Sequence, residues 1–478
     1  MDENLVRLKN CRVNHLILLV GTNPLPNWVA AHLLLMDTEQ AAGGPRRIWL
    51  LHSDGSGDEP STKEVAQRLK DLLWQQLFRE IDQNSGHHPD QDPILLYGVP
   101  SSNSIGIKNS LADLLPRLSQ ADSIGLNYTG GTKPMAVHVY RFLEQHQQAG
   151  AALERKRLVF SYLDPRHMAL RVEGKNAGEM LEFRLLEDDA LRTLVTIKQK
   201  DLAKLHGYEP PKNARKENWN TSREQPGLYH LARAIGKVYA LGDSQPGLKQ
   251  WFRWLDADSL LPPEREDNEA LEAVIQAMDD LAGGAHLPLD AKAQIIAEKI
   301  LPGAEKGLRS CRKWFLGVWL EEYARAALEE AVGDGRIMHS ADRDLKYICV
   351  ENGKETDDFQ LDAVTLCGYQ LFALSCTSDG AWVYGSDEGD VNSPKTRKKL
   401  EKKETAKEHL MEIYVRARQL GGDEARIGLV CFYPSPKQLE NEIQRSWDAQ
   451  GKVRVFGRKH FADLADAFED WFKTANLG

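Results

Sequence analysis

Five apolar runs recur through the first part of the chain, and each gives way to a short polar turn. His15 to Val20 (HLILLV) runs into Gly21-Thr22-Asn23-Pro24, and Arg47 to Leu51 (RIWLL) runs into His52-Ser53-Asp54-Gly55-Ser56. Pro93 to Tyr97 (PILLY) precedes Ser101-Ser102-Asn103, Ser123 to Leu126 precedes Thr129-Gly130-Gly131-Thr132-Lys133, and Arg157 to Leu163 (RLVFSYL) is the fifth run. Between the runs, apolar residues fall at helical spacing over Trp28 to Met36, Thr62 to Ile81 and Ser104 to Leu118, and again at Val137, Tyr140 and Phe142. Short apolar runs alternating with helices predict buried strands of a parallel sheet covered by helices on both faces. In such sheets ligands lie beyond the carboxyl ends of strands, where the connections diverge. The polar turns fall on that edge.

The fourth turn carries the densest chemistry. Gly130 and Gly131 lack the Cβ atoms that would hold a ligand off the backbone, while Thr129, Thr132 and Lys133 offer hydroxyls and a cation. Pro134 suits a first helical position, so the free N–H groups of the helix it starts would face the same pocket. This chemistry selects a phosphate or another anion; the plain alternative is a glycine turn joining a strand to a helix. It is not a Walker A loop, which needs four residues between its first glycine and the GK[ST]. No G-x-G-x-x-G with a later acidic residue supports a dinucleotide cofactor. The turn Gly21 to Asn23 is the best companion of Thr129 to Lys133 in a shared pocket.

Further along, the pattern changes. Met180 to Leu186 reads as an edge strand, Asp189 to Leu205 as a charged helix, and HGYEPPKNARKENWNTSREQPG as a linker or exposed loop. Lys212, Arg215, Lys216 and Arg223 interleave there with Trp219, which suits either a solvated loop or a nucleic-acid contact. Residues 228 to 301 carry helical patterns broken by Gly-Asp, Pro-Pro, Gly-Gly and Leu-Pro. Lys313 to Glu330 is an amphipathic helix with Leu320, Tyr323, Ala324, Ala327 and Leu328 on one face and Glu321 at its border.

Three strands follow: Leu345 to Val350, Phe359 to Thr365 and Gln370 to Cys376. Asp362 interrupts the second of them. An unpaired buried carboxylate is costly, so Asp362 is expected to meet a metal, a partner or a salt bridge. Lys395 to Lys407 is a basic helical stretch, either a solvated face or a local nucleic-acid contact. A helix Leu410 to Leu420, the turn Gly421-Gly422, strands at Arg426 to Phe432 and Val453 to Phe456, and a helix from His460 complete the chain.

At 478 residues the chain is expected to hold two or three domains. Its net charge of -9 gives no global attraction to nucleic acid, so any such site is local. Six scattered cysteines, Cys11, Cys311, Cys349, Cys367, Cys376 and Cys431, form no CxxC pair and read as reduced core thiols. The start lacks a signal-peptide layout and no apolar run is long enough to span a membrane, so a cytoplasmic protein with no membrane association is expected.

Two regions resemble a known pair of domains. GTNP after the first strand and NYTGGTKPM after the fourth resemble the CRISPR-associated Rossmann fold (CARF) domain. GVWLEEY, QLDAV and RQLGGDEAR resemble the PD-(D/E)XK nuclease domain that follows this sensor in the Card1/Can2-like effectors of type III CRISPR systems. The resemblance implies an α/β chain with an N-terminal Rossmann-like parallel sheet, a helical middle segment and a C-terminal restriction-endonuclease-like domain, divided as 1–175, 176–310 and 311–478. It implies a homodimeric sensor of cyclic oligoadenylate, a second messenger. Cyclic tetra-adenylate is the expected ring, since it can share the two-fold axis that would relate two copies of the Gly21, Thr22, Asn23 and Thr129 to Lys133 turns. Lys133 and the N–H groups of Gly130, Gly131 and Thr132 would bind phosphates, and Asn23 or Ser53 would meet ribose or adenine.

The resemblance also implies a nuclease that cuts DNA or RNA with Mn2+ or Mg2+ held by Glu321 and Asp362. The chain departs from the motif at one place. The (D/E)XK slot falls at Ser375-Cys376-Thr377, without carboxylate or lysine, and Lys395 or Lys398 would supply the cation after a short loop. Two readings stay open: a ligand-activated nuclease with a rearranged site, and a sensor whose nuclease-like domain only binds nucleic acid or regulates a partner. A third has the sensor pocket cleave its own ligand, with Thr22, Thr129 or Lys133 positioning a ribose hydroxyl.

Overall fold

Strands that are apolar on both faces have no side to give to water, so they pair in the middle of a layered sheet. In the computed structural model of the chain, β1 (His15–Val20), β2 (Arg47–Ser53), β3 (Ile94–Val99), β4 (Ser123–Asn127), β5 (Arg157–Asp164), β6 (Ala169–Glu173) and β7 (Met180–Arg184) form one sheet ordered β3-β2-β1-β4-β5-β6-β7. The first five are parallel, and β6 and β7 add an antiparallel edge. The structure describes residues 3–37, 46–55, 60–79, 92–148, 150–174, 179–209, 225–241, 269–284, 286–303, 311, 313–332, 341–351, 354–378, 394–433, 435–447, 449 and 451–475.

Alternation along β1 decides which helix covers which face. Leu16, Leu18 and Val20 pack with Trp28 and Val29 of the helix Leu25–Leu34 and with Leu69 of the helix Lys63–Leu73. Ile17 and Leu19 point the other way, to Leu111 of the helix Ser104–Leu118 and Val139 of the helix Lys133–His146. The expected charged helix at Asp189 to Leu205 is two short helices, Asp189–Leu194 and Gln199–Leu205.

A second sheet is ordered β13-β12-β11-β10-β9-β8, from β8 (Tyr208–Glu209), β9 (Ala341–Glu351), β10 (Lys354–Cys367), β11 (Gln370–Thr377), β12 (Arg426–Cys431) and β13 (Val453–Phe456). β8, β9, β10 and β11 pair antiparallel, while β11, β12 and β13 run parallel. On one face Trp319 and Tyr323 of the helix Trp319–Val332 share a core with Phe432, Phe456 and Phe461, and Leu231, Val274 and Ile296 of the middle helices Gly227–Ala240, Glu269–Ala282 and Leu289–Ile300 join it. The middle helices therefore pack onto the C-terminal layer. The other face carries the helix Pro394–Gly421, a single 28-residue element where the sequence suggested two stretches. Its Leu410, Ala417 and Leu420 belong to a cluster that runs without a break from Leu16 and Leu50, through Leu205 and Tyr208, to Leu371 and Ile427. One apolar core thus joins the two sheets.

The sequence did not mark the helix Pro436–Ser446, whose eleven residues offer only Leu439 and Ile443 as a buried apolar pair. Cys11, Cys311, Cys367, Cys376 and Cys431 are free thiols. Among the described residues no helix is long and apolar enough to cross a membrane.

Candidate functional site

Strand order places the first site. β1 is bonded to β2 on one side and to β4 on the other, so the chain leaves the ends of β1 and β4 in opposite directions and opens a crevice between them. The turns at 21–23 and 129–133 follow those two strands. They touch: a Cβ on Gly21 would come within 3.1 Å of the Gly131 nitrogen. A Cβ on Gly130 would fall 2.2 Å from the Leu19 carbonyl oxygen and 2.9 Å from Asn27 Oδ1. Gly131 holds a φ of +72°, a left-handed conformation that other residues take up only with strain. The glycines are therefore needed first for the close approach of the two turns.

The polar residues of the fourth turn divide between bracing and facing outward. Thr132 caps the helix Lys133–His146, accepting from the Met135 N–H at 3.3 Å, and its hydroxyl donates to the Ser101 carbonyl of the third turn. Thr129 Oγ1 accepts from the Leu163 N–H at 2.7 Å, which ties the turn to β5. Lys133 is exposed at the first helical position, one residue ahead of Pro134, and Thr22 is exposed on the first turn. Ser53 lies 3% exposed; its hydroxyl donates to the Pro60 carbonyl and its N–H to Thr62 Oγ1. In this structure Ser53 holds the second turn shut, and a ligand contact from it would require that pairing to open.

Sequence reasoning missed Asn27. It is fully buried, donates to the Leu19 carbonyl at 2.8 Å, and has no partner for Oδ1 among the described residues. A lone amide in the apolar run LPNWVAAHLLL was the available signal. Its place directly behind Gly130 makes it the back wall of the switch-point turn.

Asn23 reaches away from the crevice as well. Its Oδ1 accepts from the Leu25 N–H at 3.1 Å and lies 3.3 Å from His206 Nε2, while its Nδ2 donates to Glu424 Oε2 at 3.2 Å. Glu424 is 2% exposed, and burial pushes its carboxyl up to about 7. His206 is driven down to about 4, again by burial, and is neutral at physiological pH. Beside this contact lies a cleft of about 450 Å³ lined by Thr22, His206, Tyr208, Tyr414 and Arg418 among others.

In the C-terminal layer, Asp362 and Ser375 come together across β10 and β11. Asp362 Oδ2 accepts from the Cys376 N–H at 2.7 Å and from Ser375 Oγ at 3.2 Å. The strand-interrupting carboxylate is thus met in part by the neighbouring strand's own backbone, a solution the sequence reading did not weigh. Thr377 is buried two residues on. Glu321 is half-buried on the helix Trp319–Val332, which packs against β10 and β11. Its neighbour Glu322 is the deeply buried member, 3% exposed and paired with Arg325 at 3.1 Å. Lys395 and Lys398 sit in the first turns of the helix Pro394–Gly421, with side chains outside the described ones. Lys212, Arg215, Lys216, Trp219 and Arg223 also lie outside the described residues.

Among the described residues no three His, Cys, Asp or Glu side chains are grouped to hold a metal ion, and one Asp362 oxygen is already spent on Cys376 and Ser375.

The fold has solved relatives. The crystal structure of protein VC1899 from Vibrio cholerae matches over 96% of this chain and 98% of its own, with a TM-score of 0.57 and 16% identity. Can2 from Sulfobacillus thermosulfidooxidans, solved in complex with cyclic tetra-adenylate, matches over 98% of this chain and 99% of its own, with a TM-score of 0.57 and 14% identity. The chain has the mixed α/β architecture of these proteins from end to end. No protein-family model and no curated protein matches its sequence.

Proposed function

We propose that this chain is an effector that binds cyclic oligoadenylate, as cyclic tetra-adenylate, in a crevice shared by two copies of the chain. One observation carries the reading. The turns 21–23 and 129–133 meet at the carboxyl ends of β1 and β4 with a helix N-terminus and the exposed Lys133 beside them. That is an anion-binding arrangement at the fold's switch point. It is supported by the end-to-end similarity to a structure solved with cyclic tetra-adenylate. Backbone N–H groups and Lys133 would hold phosphates, and Thr22, exposed on the first turn, would meet the ring beside them. A two-fold axis through the crevice would give each half of the ring equivalent donors.

The output is assigned to the C-terminal layer, and its first reading is metal-dependent cleavage of DNA or RNA centred on Glu321 and Asp362. A specific observation favours a second reading, a domain that binds nucleic acid or regulates a partner without cutting. Asp362 is already engaged by Cys376 and Ser375, and the slot Ser375-Cys376-Thr377 brings no carboxylate or lysine.

Calorimetric titration with cyclic tetra-adenylate tests the sensor. Lys133→Ala is expected to weaken binding by about tenfold or more, the loss of a charge-assisted phosphate contact. Unchanged affinity would put the pocket elsewhere. Incubation of supercoiled plasmid and labelled single-stranded RNA with manganese, with and without the ligand, separates the two outputs. The nuclease reading requires cutting that appears with ligand and disappears in Asp362→Ala, while that variant still binds the ring.

A further inference from the structure

The Asn23 side chain joins three parts of the chain at once: the start of its own helix at Leu25, His206 from the connecting segment, and Glu424 from the C-terminal layer. The fit on the far side is close. Gly422 holds a φ of +68°, and a Cβ there would sit 2.3 Å from Asn23 Nδ2. Glu424 is the last residue of the short 3-10 turn Gly422–Glu424, which directly follows the helix Pro394–Gly421. A helix of 28 residues spans about 40 Å. Its opposite end carries the basic run Lys395, Arg397, Lys398 and Lys399.

We propose that the Asn23–Glu424 contact couples the sensor's first turn to the helix Pro394–Gly421, so that a ligand seated on the 21–23 turn shifts the helix and its basic end. This rests on the sensor reading above. Glu424 is 2% exposed, so water cannot replace the amide if the turn moves alone; the turn either carries Glu424 with it or leaves a buried carboxyl without that donor. The adjoining cleft of about 450 Å³, with Thr22 on one wall and Tyr414 and Arg418 of the helix on the other, leaves space for the displacement. Coupling of this kind requires the ligand to favour one arrangement of the contact over the other. A side chain that touches the ligand's turn on one side and the helix's end on the other supplies that difference.

Hydrogen exchange on the full chain tests the proposal in two arms. In the ligand-free protein, Glu424→Ala is expected to speed exchange across the interface at residues 21–27 by about fivefold or more, while Glu424→Gln, which keeps an acceptor for Asn23 Nδ2, leaves it unchanged. In the second arm, cyclic tetra-adenylate is expected to change exchange at residues 421–426 in the wild type and in Glu424→Gln, and to lose that effect in Glu424→Ala. Unaltered exchange at 21–27 in Glu424→Ala overturns the coupling, as does a ligand effect at 421–426 that survives in that variant. Should the wild type bind no ring at all, the sensor reading fails, and the ligand-free arm still decides whether the contact couples the two layers. If Glu424→Ala does not fold, Asn23→Ala opens the same contact from the other end, with exchange read at 421–426 without ligand; no change there overturns the proposal.

Discussion

Single residues in this chain carry two kinds of cost. Glu424 is a carboxyl in a nearly dry place, flanked by Asp423, Lys452 and Arg426, with its pKa raised to about 7 by burial from an ordinary 4.5. The folded state therefore holds this proton more tightly than the unfolded chain does. The stability gained is fully present below pH 4.5 and is lost as the pH rises through 7. Denaturation of the wild type and Glu424→Gln at pH 5 and pH 8 is expected to show the wild type losing stability relative to the variant, by about 1.4 kcal/mol for each unit of raised pKa. A parallel pH course for the two would refute the assignment. Asp362 shows the second cost. Its removal in Asp362→Ala takes the acceptor from the Cys376 N–H, and the expected loss is about 1 to 3 kcal/mol in a urea titration, whatever the domain's activity.

Among the elements, the TGGTK turn shows how one sequence feature serves packing and ligand access together. Its glycines were expected to let a ligand approach the backbone. The structure adds a prior demand, because Gly130 sits against the Leu19 carbonyl and Asn27. Gly130→Ala is expected to push the fourth turn off the first, costing about 1 to 3 kcal/mol by thermal melt and abolishing ring binding. A melt unchanged from wild type would mean the turn has slack that the geometry denies it. The helix Pro394–Gly421 teaches the reverse lesson. Its charged first half reads as surface and its second half as amphipathic, and it takes the structure to show that they form one continuous helix.

For the whole molecule, the decisive feature is the core shared by both sheets. Leu16 and Leu50 of the first and Leu371 and Ile427 of the second belong to one buried cluster, bridged by Leu205 and Tyr208. β8 extends the second sheet from a segment that follows the first in sequence. A fragment ending at residue 175 would lack β7 and the short helices that close this core. It is expected to aggregate or to melt well below the full chain, and calorimetry of the full chain is expected to show the two layers unfolding together. Two well-separated transitions would contradict a common core.

The alternation of short apolar runs with helical patterns was enough to specify the parallel N-terminal strands, since buried strands must be apolar on both faces. The same pattern placed the turns of residues 21–23 and 129–133 at a single edge. Asp362 stood out as a carboxylate in an apolar strand, and the packed face of the Glu321 helix was legible from its spacing. Other features could be decided only by tertiary structure, because they depend on contacts between positions far apart in the chain. Asn23 meets Glu424 across some four hundred residues, and Asp362 is met by the backbone of the next strand. The middle helices lie on the C-terminal sheet, and of two adjacent glutamates it is Glu322 that is deeply buried. Local periodicity records whether a residue is turned inward; it carries no record of what waits there.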